Sequence, residues 1–180
     1  MTAIRKLAVA AACAMSLVSV AHAQDAQAKP GPYVGLSLGR ANGSHEAYEA
    51  GSDPSLGLFA GYRFNEQLSL EVFGRALSFR LFPNWLNTHD SGTHPDRHIG
   101  LAVVGDLPLG GAWRAYGRAG LGRTRMEGNN SLAKAGSVTE TTLGAGLAYE
   151  FSSGFGLRFG LERYNKSRVN VLGLGGEVRF

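Results

Sequence analysis

Residues 143–163 read LGAGLAYEFSSGFGLRFGLER, and an alternation of period two runs through them. Leu143, Ala145, Leu147, Tyr149 and Phe151 hold one parity, while Gly144, Gly146, Ala148 and Glu150 hold the other. After Ser152-Ser153-Gly154 the pattern restarts, with Leu157, Phe159 and Leu161 set against Arg158, Gly160 and Glu162. Successive side chains of a strand point to opposite faces, so each run reads as a β-strand and the short link as a turn. One face is wholly apolar and the other carries charge and glycine.

The same pattern recurs along the chain, giving eight candidate strands at 32–41, 55–65, 67–79, 97–109, 113–126, 138–151, 155–165 and 169–180. Each approximates the 9–11 residues that a tilted strand needs to cross a bilayer. Asn65-Glu66, Gly110-Gly111-Ala112 and Ser152-Ser153-Gly154 read as tight turns, and 42–54, 80–96 and 127–137 as long loops. The last link, around Lys166-Ser167, is short although it belongs to the loop side. Short turns on one rim and longer loops on the other mark a bacterial membrane barrel.

Charge decides which face meets lipid. Val34, Leu36, Leu38, Leu56, Leu58, Leu70, Val72, Leu101, Val103, Leu121, Leu172 and Leu174 continue the apolar face with no charge in the middle of any strand. The opposite face holds Arg63, Glu71, Arg75, Asp106, Arg114, Arg118, Glu150, Arg158, Glu162, Glu177 and Arg179. A lipid-facing Arg at midplane costs about 2–4 kcal/mol, so a membrane selects this segregation. A soluble barrel inverts it, with apolar residues inside. Tyr62, Phe64, Trp113, Tyr149, Phe151 and Phe180 fall outward near the short-turn rim, as an interfacial aromatic girdle would. Inward Gly57, Gly61, Gly100, Gly120, Gly144, Gly146, Gly160, Gly173 and Gly175 make room for the larger lumenal side chains.

Composition agrees. Gly makes up 26 of the 180 residues, about twice the usual share, without the three-residue period of collagen. With 44% hydrophobic residues the chain is too apolar for a disordered protein. One Cys excludes a disulfide scaffold and any Cys-based zinc site. The net charge of +4 includes no basic run, so nucleic acid is not an expected partner.

Residues 1–23, MTAIRKLAVAAACAMSLVSVAHA, read as a cleaved secretory signal. Arg5 and Lys6 precede the apolar stretch Leu7 to Val20, and Ala21-His22-Ala23 supplies the cleavage pattern. The expected organisation is therefore a signal peptide at 1–23, a short segment at 24–31 and a barrel at 32–180. The fold class is all-β, an eight-stranded antiparallel up-and-down transmembrane barrel.

Three segments now resemble a family. Tyr33-Val-Gly-Leu-Ser-Leu-Gly39, Gly61-Tyr-Arg-Phe-Asn-Glu-Gln-Leu-Ser-Leu-Glu71 and Gly156-Leu-Arg-Phe-Gly-Leu-Glu-Arg-Tyr164 are similar to the eight-stranded OmpA-like outer-membrane β-barrels. The final Phe180, with apolar residues at alternate positions before it, resembles that family's assembly signal and implies the barrel-assembly machinery as a partner. Export through the periplasm to the bacterial outer membrane follows from the same resemblance. Long members carry a peptidoglycan-binding domain after the barrel, and this chain stops at the barrel's end, so no tether to the cell wall is expected. In OmpA a lumenal Glu–Arg pair acts as a gate that exchanges partners with a Lys and a second Glu. Alignment by strand matches Glu71 and Arg158 to the closed pair. Val104 and Ala148 stand where the exchanging Lys and Glu would be, so such a switch is disabled unless Arg118 or Glu162 substitutes.

The lumenal charges then have two readings, the polar filling of a narrow barrel or a regulated ion path. A second basic group, Arg40, Arg80, Arg97, Arg123 and Arg163, falls outward at the loop ends of its strands. There it could contact lipopolysaccharide phosphates or simply snorkel at the interface. His89, His94 and His98 with Asp90 and Asp96 lack the spacing of a zinc site, so no metal or other cofactor is assigned. Trp85, between Phe82 and Leu86, could dip into the outer leaflet or pack over the barrel mouth. The lipid A hydrolases built on such barrels need a lipid-facing His and Ser two apart on the penultimate strand. Leu161-Glu162-Arg163-Tyr164-Asn165 offers neither. The expectation is a non-catalytic outer-membrane barrel with a structural or surface-interaction role. The alternatives are a narrow ion-conducting pore, or an adhesin that binds a host or surface ligand through its loops.

Overall fold

The computed structural model describes residues 30–43, 53–77, 93–128, 136–151 and 154–180. Eight strands follow one another in chain order: β1 (Gly31–Gly43), β2 (Asp53–Arg63), β3 (Leu68–Ala76), β4 (Thr93–Gly110), β5 (Trp113–Gly128), β6 (Gly136–Glu150), β7 (Phe155–Tyr164) and β8 (Val169–Arg179). Each pairs antiparallel with the next, and β1 also pairs with β8, so the sheet closes into a barrel with no free edge. Closure satisfies every ladder along the circumference, which is the condition for a sheet to lie in hydrocarbon.

The two-residue period sets the inside and outside of the wall. Leu36, Leu58, Ile99, Leu121, Phe159 and Leu174 stand on the outer surface, each more than half exposed. Between them Arg63, Glu71, Arg118, Arg158 and Glu177 turn inward and are almost wholly buried. The polarity of a soluble core is inverted.

At the short-turn rim, Asn65 Oδ1 accepts from the amides of Gln67 and Leu68, both at 2.9 Å, and fixes the β2–β3 turn. Gly110 and Gly111 hold φ of 108° and 58°, the left-handed region that lets the β4–β5 link be so short. Tyr62 and Phe64 contact one another there, and Trp113, Tyr149, Phe151 and Phe155 form a continuous aromatic chain with centroids 4.8–5.5 Å apart.

Strand ends depart from the sequence reading. β2 is shifted, covering 53–63 rather than 55–65, and β3 ends at Ala76 instead of 79. β4 starts at Thr93, inside the stretch read as the loop 80–96, and β6 starts at Gly136, inside 127–137. Thr93 pairs with Gly128 and Met126 with Gly136, so backbone pairing runs past the membrane-facing alternation. Ladder hydrogen bonds do not require apolar side chains, and alternation alone therefore understates strand length outside the bilayer.

Candidate functional site

Among the described residues, eleven of the charged side chains that parity turns inward are joined in one chain of ion pairs. It begins near the short-turn rim, where Asp106 lies 3.3 Å from Arg63 and 3.1 Å from Arg114. Arg114 reaches Glu150 at 3.1 Å and Glu177 at 2.5 Å, and Arg179 bridges those same two carboxylates. Glu177 passes the chain to Arg158 at 2.5 Å, and Arg158 to Glu71 at 2.5 Å. Arg118 lies 3.1 Å from Glu71 and 2.8 Å from Glu162. Glu162 closes the series on Arg75 at 3.2 Å.

Neutral groups fix the ladder's geometry. The Tyr33 hydroxyl donates to Glu71 at 3.0 Å and the Tyr164 hydroxyl to Glu162 at 3.1 Å. Arg75 donates to Ser37 at 2.9 Å and Ser55 at 3.3 Å. The Arg118 guanidinium lies 3.8 Å from the centre of the Phe73 ring, and that of Arg158 stands among Tyr33, Phe59 and Tyr116 at 4.9–5.6 Å. Aromatic faces suit a desolvated cation, so rings and carboxylates together occupy the bore. Glu71 and Arg158 form a close pair, while Val104 and Ala148 are buried apolar wall residues. Arg118, like Arg114, Arg158 and Arg179, is shared between carboxylates, in its case Glu71 and Glu162.

Nearer the loop rim the lumen changes character. His98, expected beside a loop with the other histidines, is instead fully buried inside the barrel. Its parity matches that of inward Ala102 and Val104, so the register carries it into the lumen. His98 packs between Phe73 (5.2 Å) and Tyr164 (4.9 Å). The Thr124 hydroxyl donates to Glu140 and accepts from His98 Nδ1 at 2.7 Å. Gly122 is obligatory beside it, because a Cβ there would run into His98 Nε2 and the Ile99 carbonyl. Glu140, absent from the lumenal set read from the sequence, is fully buried and accepts from the Lys166 and Ser167 amides at 2.9 Å. It thereby ties the β7–β8 link to β6. The signal was available, since Glu140 shares the parity of Glu150. Nearby, Ala41, Leu77, Tyr164, Val169 and Val171 form a small apolar cluster.

His98, Thr124 and Glu140 are the three residue types of a nucleophile, base and acid, but in the wrong order. A triad places the imidazole between hydroxyl and carboxylate, whereas here the hydroxyl lies between the other two. Of the metal candidates, His89 and Asp90 lie outside the described residues, and His98 points away from the loop rim into the lumen. Trp85 also lies outside them.

On the outer surface Arg40, Arg97, Arg123 and Arg163 are exposed at the loop ends of β1, β4, β5 and β7. Arg80 lies outside the described residues. Arg125, not in the expected group, is exposed on the same parity as Arg123. The Phe180 ring, the expected assembly signal, is 77% exposed.

A closed eight-stranded barrel with an apolar outside and a charged inside is a transmembrane β-barrel. The chain belongs to the outer membrane protein β-barrel domain family, whose model matches residues 10–180, and it is placed in the bacterial outer membrane. Among solved structures it is similar to the N-terminal β-barrel domain of Pseudomonas aeruginosa OprF, with 19% identity over 84% of this chain and 100% of that one, TM-score 0.59. Neisserial surface protein A shares 19% identity over 87% of this chain and 100% of that one, TM-score 0.54. Ail, the attachment invasion locus protein of Yersinia pestis, shares 17% over 84% of this chain and 97% of that one, TM-score 0.51. These likenesses show the shared fold. No curated protein matches the chain.

Proposed function

We propose that the protein is a closed, non-catalytic outer-membrane barrel that serves the envelope structurally and interacts through its outer rim and lipid-facing surface. The observation that carries this reading is the continuous ladder from Arg63 to Arg75, whose ions and aromatic partners fill the bore. Eight strands enclose an interior that side chains can fill, and the ladder fills it with groups that largely neutralise each other. Absence of catalysis is supported by the burial of His98 and Thr124 and by their order with Glu140. The exposed arginines at the loop ends support contact with lipopolysaccharide, since guanidinium groups bind phosphate in bidentate fashion.

A second reading, a narrow gated pore, is favoured by one observation: Arg118 contacts Glu71 and Glu162 together and could exchange weight between them. Planar-bilayer recordings of the protein extracted from membranes separate the two. A folded wild-type barrel that stays silent, beside a Glu71→Ala variant that is also silent, is the expected result. Discrete openings that grow in Glu71→Ala would move the pore reading ahead.

A further inference from the structure

The expected ring of outer arginines is not evenly spread. Arg97 on β4 sits directly across from Arg125 on β5, and Ile99 across from Arg123. All three guanidinium-bearing residues are exposed on the lipid-facing parity of one hairpin. Like charges directly opposed on a sheet face repel, and Asp96 lies 3.4 Å from Arg97. Arg97, Arg123 and Arg125 line a groove of about 630 Å³ whose floor includes Ile99, Gly136 and Ser137. Arg40 on β1 and Arg163 on β7 lie apart from it, and Arg163 donates to Asn170 at 3.3 Å.

Ile99 also borders a second groove, about 780 Å³, which lies along the apolar wall beside Gly74, Val72, Ala60 and Val34. It exists because Gly74 and Ala60 stand where the same face elsewhere carries Leu, Val or Ile. A basic groove at the loop rim and an apolar groove at membrane depth thus adjoin at Ile99. That arrangement has the charge and polarity of an anionic amphiphile, with its phosphate high and its hydrocarbon low.

We infer that this face binds one phosphate-bearing lipid of the outer leaflet. Its phosphate sits among Arg97, Arg123 and Arg125, and one acyl chain lies in the apolar groove beside Ile99 and Gly74. The inference rests on the reading of the outer arginines as a lipopolysaccharide contact and narrows it from five dispersed residues to one site. Arg125 joins that site, and Arg40 and Arg163 leave it.

The test uses the full-length protein extracted from membranes in an uncharged detergent, titrated with bisphosphorylated lipid A and with its dephosphorylated form, bound lipid being read by native mass spectrometry. Arg97→Gln/Arg123→Gln/Arg125→Gln should weaken binding of the bisphosphorylated form about tenfold or more, as loss of a charge-assisted contact does. Gly74→Leu fills the apolar groove without disturbing the wall, because a Cβ there meets only the His98 carbonyl at 3.9 Å and Ile99 Cγ1 at 4.0 Å. It should weaken binding about fourfold, the value of one displaced methylene. Arg40→Gln/Arg163→Gln should stay within about twofold of wild type, as exposed charges away from a site do. Heat-modifiable migration on gels confirms that each variant is folded. Equal losses in the two arginine variants would overturn the single site and leave the dispersed contact standing. Unchanged binding in both would overturn the inference and the lipopolysaccharide reading together. An unaffected Gly74→Leu, or dephosphorylated lipid binding as tightly, would overturn the placement of chain or phosphate.

Discussion

The lumen contains two regions that solve the same problem differently. From the short-turn rim to mid-barrel it is filled by ions, with Arg114, Arg158 and Arg118 each shared between carboxylates. At the loop rim it is filled as a soluble core would be, by Ala41, Leu77, Tyr164, Val169 and Val171, with His98 donating to Thr124 and Glu140 held by neutral donors beside them. The ionic region depends on partners staying matched, because a buried charge without its partner is costly. The apolar region depends on volume alone. Ions specify where each strand must stand; apolar packing fills the loop end.

The largest test of that contrast removes a hub of the ladder. Glu177 contacts Arg114, Arg158 and Arg179, so Glu177→Ala should destabilise the barrel by about 3–5 kcal/mol, read from chemical unfolding in lipid vesicles. A smaller loss than that of any apolar-cap variant would break the distinction. Leu77→Ala, in the cap, should cost about 2–4 kcal/mol by leaving a cavity, and the loss should not change with ionic strength. Gly122→Ala drives a methyl group toward His98, and overpacking there should cost about 1–3 kcal/mol in the same unfolding measurement. Smallest is Glu140→Gln, which keeps an acceptor for the β7–β8 amides and should lose about 1 kcal/mol. Its clearer mark is faster hydrogen exchange at the amides of Lys166 and Ser167.

Much of this architecture is legible in the sequence because parity in a closed barrel is unambiguous. Once Leu143, Leu147 and Phe159 are assigned to lipid, Glu150, Arg158 and Glu162 can point only inward. Parity assigns a face, however, and not a partner. That Glu177 serves three arginines, or that Arg118 divides between Glu71 and Glu162, depends on which strands meet across the bore. His98 is hard to place from sequence because its polar neighbourhood at a strand end competes with the register it shares with Ala102 and Val104. The clustering of Arg97 with Arg125 was hidden for a related reason. Their opposition is set by the pairing offset between β4 and β5, which neither strand reveals alone.

The closing strand gives the ladder one more meaning. β8 is the last to be synthesised, and it must meet β1 before the sheet has no edge. It also brings Glu177 and Arg179. Without β8, Arg114 and Arg158 would each lack their contact to Glu177, and Glu150 would lack Arg179. β8 adds one charge of each sign, so the pairing of the interior ions, and not their sum, is completed by the strand that completes the hydrogen-bonded ring. A β8 slipped by one residue would lose its register with β1 and β7 and would turn Glu177 away from Arg114 and Arg158.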